Sequence, residues 1–181
     1  MTPIQLVFQI CDRIRDITKD YRMEESGGDH KLRAPNVWPQ NLPEKLYDEE
    51  PDPADYPFVL VILGGGNGVI ENEMPCSIAV VVGGYDDGQI IEGGVHDRQG
   101  WLVPAEMAWR IITTFAKQPL MGPYKLNTEL LSWELPSQEQ PAPLWYGIIN
   151  MQWSVPLPGP NYGLRYMESY TEHADYDGEL I

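Results

Sequence analysis

Apolar residues recur at three- and four-residue spacing near the start of the chain: Val7, Ile10, Cys11, Ile14 and Ile17. That spacing draws one stripe along an α-helix, and Asp12, Arg13, Arg15, Asp16 and Lys19 fall on its other side. Thr2 suits the N-cap and Pro3 the first helical position, where proline's missing N–H has no intrahelical partner to lose. The pattern predicts an amphipathic helix from Pro3 to about residue 20.

Residues 21–56 carry no period. Gly27, Gly28 and the prolines at 35, 39, 43, 51 and 53 interrupt them, and Asp48, Glu49, Glu50 and Asp52 make them acidic. Irregular chain of this length inside a compact domain is usually functional or disordered. Trp38, Leu42, Leu46 and Tyr47 give it apolar contact points, so it reads as an arm that lies on a neighbouring subunit.

From Pro57 the pattern changes. Phe58 to Leu63 is a continuous apolar run rich in β-branched residues, which predicts a buried strand. Cys76 to Val82 predicts a second, and the glycine-rich stretch between them, with Asn67 and Glu71, predicts a hairpin loop over 64–75. Gly83, Gly84, Asp86, Asp87 and Gly88 then signal a turn. Pro104 opens a second helix whose stripe reads Ala105, Ala108, Trp109, Ile112, Phe115 and Ala116, and Pro119 stops it. Tyr124 to Leu135 and Leu144 to Val155 predict two further strands. In the last one Trp145, Ile149, Met151, Trp153 and Val155 alternate with Asn150, Gln152 and Ser154, the period of a strand with one buried face.

The order helix, strand, strand, helix, strand, strand predicts an α+β fold: a small, mostly antiparallel four-stranded sheet with two main helices packed on one face. Residues 1–158 form one domain with the 21–56 arm inserted, and 159–181 form an acidic C-terminal extension carrying Tyr162, Tyr166 and Tyr170. That extension reads either as a solvated terminus or as a tyrosine-rich docking element.

Composition adds to this picture mainly through charge. The chain has 181 residues and a formal net charge of −15, and residues 46–181 carry all of the imbalance. Such a surface disfavours binding to phosphate backbones as the main activity; it either keeps the protein soluble or docks a basic partner. Two cysteines make no disulfide scaffold. The N-terminal residues lack the pattern of a secretion signal and no run is long enough to span a membrane, so a soluble protein of the cytoplasm is expected.

Candidate chemistry is sparse. The glycine run after the first strand fails the dinucleotide pattern, because Val69 stands where the third glycine belongs, and a P-loop lysine is missing since Lys45 and Arg98 are consecutive cations. His30, His96 and His173 stand apart, and Asp175 and Asp177 begin a calcium-like loop that the chain does not continue to a twelfth position. Cys76, His96 and Asp97 are the ingredients for nucleophilic catalysis, yet Cys76 starts an apolar strand and the other two sit among turn residues. No catalytic residue, cofactor or metal is expected.

One resemblance goes further. Pro57-Phe58-Val59-Leu60-Val61, then Ile78 to Asp86, then Trp133-Glu134-Leu135-Pro136, then Pro143-Leu144-Trp145-Tyr146-Gly147 running into Trp153-Ser154-Val155-Pro156, is similar to prophage proteins of Gram-positive bacteria that act as tail-terminator, or tail-completion, subunits. The resemblance covers about residues 57–158; the 21–56 arm and the glycine-rich stretch 83–100 depart from it. It implies a lambda-type terminator fold and a structural virion protein without enzymatic activity. Such a subunit closes into a ring, a homohexamer, that caps the tail tube and ends its polymerisation. It touches tail-tube protein on one side and a head-completion or connector protein on the other, with DNA only as passing cargo and no membrane. An acidic lumen would let DNA pass without sticking. Another head–tail neck or tail-assembly subunit is the alternative, ahead of a small hydrolase-type enzyme. Trp38, Tyr47, Asn67, Glu71, Asp86, Asp87, Tyr162, Tyr166 and Tyr170 are the candidate interface residues.

Overall fold

In the computed structural model the chain opens with a reciprocal cap. The Thr2 hydroxyl accepts from the Gln5 N–H at 3.3 Å, and Gln5 Oε1 accepts from the Thr2 N–H at 3.1 Å. Two of the helix's unsatisfied donors are thereby served, and α1 runs Pro3–Thr18 with Leu6, Val7, Ile10, Cys11 and Ile14 buried. The structure describes residues 2–24, 30–43, 53–86, 89–91, 95–97, 100–136 and 143–157. Among them, no helix is long and apolar enough to cross a membrane.

The strands are β1 (Arg22–Glu24), β2 (His30–Leu32), β3 (Asn36–Pro39), β4 (Phe58–Gly66), β5 (Glu73–Tyr85), β6 (Gln89–Ile91) and β7 (Val95–Asp97). After α2 (Leu102–Lys117) come β8 (Leu120–Met121), β9 (Tyr124–Leu126), β10 (Ser132–Glu134) and β11 (Leu144–Pro156). The main sheet has seven strands in the order β3-β4-β5-β11-β9-β8, with β10 also on β11, while β1–β2 and β6–β7 form separate two-stranded ribbons. The fold is α+β, but the expected small four-stranded antiparallel sheet is wrong: the sheet is larger, curled and mixed.

Three local causes account for the difference. Inside the arm that carries no period, β3 pairs with β4 in parallel, Asn36 opposite Phe58 and Pro39 opposite Val61. A four-residue strand with proline at its end leaves no alternation to detect. The strand expected over 124–135 breaks at Asn127, whose side chain accepts from the Glu129 N–H at 3.1 Å and starts a 3-10 turn over Thr128–Leu130. The short β8 turns back on β9 through Gly122 and Pro123. The hairpin of β4 and β5 is antiparallel as expected.

β5 and β11 pair antiparallel without interruption from Leu144 opposite Tyr85 to Pro156 opposite Glu73. Their inner faces, Cys76, Ile78, Val80 and Val82 against Ile149, Met151, Trp153 and Val155, meet both helices in one core. Phe115 of α2 stands edge-on to Trp153 at 6.0 Å, and the Arg13 guanidinium covers the other part of Phe115 at 4.8 Å. The opposite face is polar only in part. Ser77, Asn150, Gln152 and Ser154 occupy one half, while Tyr56, Phe58 and Leu60, with Trp38 and Tyr85 beside them, form a second apolar cluster on the other.

The edge strand β3 leaves little free backbone on its outer side. Its even residues face β4, with the Asn36 N–H donating to Pro57 O and the Gln40 N–H to Val61 O. On the outward side Arg15 donates to Val37 O at 2.8 Å, Pro39 has no N–H, and Pro39 O accepts from Asn41.

Gly83 lies opposite Phe58, and a Cβ on it would collide with the Phe58 ring. Gly83→Ala should therefore cost about 1–3 kcal/mol of stability through overpacking. In a Phe58→Ala background the same change should cost less than half as much; urea denaturation of the four proteins of this cycle checks it.

Candidate protein-interaction surface

The glycine run is part of a built hairpin. β4 continues to Gly66 and β5 begins at Glu73, so the connection is shorter than the expected 64–75 loop. Ile70 and Glu73 exchange backbone hydrogen bonds at 2.9 and 2.8 Å. Between them Glu71 and Asn72 both take positive φ, 49° and 66°, the geometry of a two-residue turn whose twist matches the strands. A bulge falls between Leu63 and Gly65, and Gly65 at φ 117° occupies a conformation that a side chain would strain. The Leu157 N–H donates to Asn72 O at 2.8 Å and ties the end of β11 to this tip.

Beside the tip lies a shallow, open depression of about 220 Å³ lined by Gly64, Gly65, Gly66, Asn67, Pro75, Ser77 and Gln152. None of these side chains titrates. Ser77 Oγ donates to Gly65 O at 3.2 Å, so its hydroxyl is committed to the hairpin.

Among the described residues, the expected interface positions fall in three places. Asn67 and Glu71 are exposed at the tip, next to the exposed Val69 and Ile70. Trp38 turns into the second apolar cluster of its own chain, where its indole N–H is buried without a partner among the described residues. Asp86 follows β5 and fastens the chain through its backbone. Its N–H donates to Pro143 O at 2.8 Å, and its carbonyl accepts from Trp145 Nε1 at 3.4 Å. Tyr47, Asp87, Tyr162, Tyr166 and Tyr170 lie outside the described residues.

Other apolar side chains take the surface instead. Trp109 was expected on the buried stripe of α2 but is 58% exposed. The stripe that packs is Pro104, Met107, Ala108, Ile111, Ile112 and Phe115. Close seating of the helix explains the choice: a Cβ on Gly84 would stand 3.1 Å from Pro104 Cδ, and one on Gly147 would stand 3.3 Å from Pro104 O. An indole does not fit under a helix held that close to glycines. Trp109 lies instead against Trp133 of β10, ring centroids 6.4 Å apart, with Leu102 and Leu130 also exposed. On α1, Ile4 and Phe8 are exposed one turn apart. The readable signal for Trp109 was the Met107–Ile111 pair, which defines a different stripe once both are placed inside.

The candidate nucleophile Cys76 is buried on the inner face of β5, and burial raises its thiol pKa. Cys11 is pushed from its ordinary 9.0 to about 11, chiefly by burial, with Arg15 opposing. A reactive cysteine needs the opposite shift. His96 and Asp97 fall on β7, opposite Ile90 and Gln89. Among the described residues no group of three or more His, Cys, Asp or Glu side chains is arranged to hold a metal. No protein-family model matches the chain, and no curated protein matches it.

The thiol shifts give a pH dependence of defined sign. A group whose folded pKa is raised keeps its stabilising effect below its unfolded pKa and loses it as pH rises through the folded value. Stability should therefore decline between about pH 9 and about pH 11, the window set by Cys11. Cys11→Ala should flatten that decline; denaturant midpoints across this range check it. A thiol reagent at about pH 8, below the ordinary thiol pKa, should label neither cysteine until the protein is unfolded.

Proposed function

We propose that this chain is a non-catalytic structural subunit of a phage tail, a tail terminator. It closes into a ring, a homohexamer, that caps the tube, stops its polymerisation and offers a surface to a head-completion or connector protein. The observation that carries this reading is the distribution of exposed apolar side chains. Ile4 and Phe8 on α1, Trp109 and Trp133 beside α2, and Val69 and Ile70 at the hairpin tip all face outward. Large apolar groups grouped on several sides of one small domain mark surfaces that other chains cover. The resemblance of residues 57–158 to tail-completion subunits says which chains: copies of itself and the tube protein.

The net charge of −15 suits an assembly through which DNA only passes, since an acidic wall repels phosphate. The open depression beside the tip presents no titratable group, so it offers nothing for acid–base or nucleophilic work.

Light scattering on the purified chain, with and without the tube subunit of the same genome, followed by negative-stain imaging, tests the reading. Rings, formed alone or on adding tube protein, are the expected result. A strict monomer that ignores tube protein rejects it.

A further inference from the structure

The end of β11 lies beside the first turn of α1. Its register against β9, Trp153 opposite Leu126 and Ser154 opposite Lys125, brings Val155 alongside Tyr124. The Tyr124 hydroxyl donates to Thr2 O at 3.1 Å, which anchors the start of α1 next to that pair. Two residues on, alternation returns Leu157 to the face that carries the helices. The Leu157 N–H is held by Asn72 O, and its side chain is 37% exposed.

Ile4 and Phe8, one turn apart on α1, are both large, apolar and exposed. Ile4 faces away from α2. Arg13, which donates to Gln118 at the end of α2, is nine positions further on, about two and a half turns and hence on the opposite side of the helix.

Residues 158–181 lie outside the described residues and follow directly from Leu157. The first part of them is not acidic. Between Leu157 and Glu168 the sequence holds Tyr162, Leu164, Tyr166 and Met167, with Arg165 as the one charged residue. Fully extended, residues 158–167 span at most about 35 Å, several times the roughly 6 Å from Ile4 to Phe8 along the helix. A segment tethered this close meets the surface at an effective concentration on the order of millimolar. A second copy in dilute solution cannot match that, which favours the chain's own extension as the occupant.

We infer that residues 158–167 of this chain turn back from Leu157 over Ile4 and Phe8, with Tyr162, Leu164 and Tyr166 as the covering side chains. The contact is intramolecular and holds without any ring. In the ring proposed above, a neighbour reaches this face of α1 only by displacing the extension, so the free subunit keeps the face covered.

Ile4→Cys and Phe8→Cys, each in the full chain, place a reactive thiol on this face, while the native Cys11 and Cys76 stay buried. Maleimide labelling is timed with and without the added changes Tyr162→Ser, Leu164→Ser and Tyr166→Ser. Those changes should speed labelling at both positions at least threefold, and by the same factor at protein concentrations about tenfold apart. Trp109→Cys, on the exposed side of α2, should label at one rate in both backgrounds. An unchanged rate at positions 4 and 8 overturns the inference; if rings still form, the ring stands without the cover. Speeding that fades on dilution assigns the contact to a second copy, and equal speeding at position 109 means general loosening; either result overturns it as well. Each of the two α1 positions reports the cover by itself, so misfolding of one variant leaves the test standing.

Discussion

The main sheet and the two helices on it are placed by the pairing of β5 with β11. The two strands run antiparallel through thirteen consecutive partners, from Leu144 opposite Tyr85 to Pro156 opposite Glu73. Strict alternation makes the register almost compulsory. A one-residue slip would exchange Ile149, Met151 and Trp153 for Asn150, Gln152 and Ser154 on the face beneath the helices. With about 1.5–3 kcal/mol for each large apolar side chain taken out of water, that exchange outweighs any single loop contact. β4 extends the ladder on one side, β9 and β10 extend it on the other, and the helices rest on the face that the alternation makes apolar.

The parts legible in the sequence were those with a long period. α1, its Thr2 cap, the β4–β5 hairpin, α2 and β11 all occupy the stretches where apolar spacing placed them. What escaped were elements too short to show one. β3, β8, β9 and β10 have two to four residues each, and their positions depend on partners far away in the chain. The phase of α2 escaped for another reason. Trp109 and Ile111 are both large and apolar, and only the closeness of Pro104 to Gly84 and Gly147 decides which of them goes inside. The candidate surface was least legible, because an exposed tryptophan and a buried one look alike until the helix has been seated.

Charge and burial divide the molecule's duties. The inner core holds both cysteines with raised thiol pKa values. Tyr21, also shifted upward by burial, is held beneath the junction of the two helices, next to Glu106. These groups are neutral and packed, and they serve the fold. Most charged side chains of the described residues lie outside, with Asp55 a buried exception.

The edge of β3 leaves little backbone for another strand to pair with. With Val37 O taken by Arg15, no N–H on Pro39 and Pro39 O taken by Asn41, incoming backbone finds a single donor, the Val37 N–H. A sheet that cannot be extended on that side cannot grow into a fibre by adding strands there. Contacts along that flank are left to side chains, whose geometry specifies an angle between neighbours as a backbone ladder does not. Backbone pairing along this flank, the step with which open-ended stacking would begin there, is thereby restricted to one hydrogen bond.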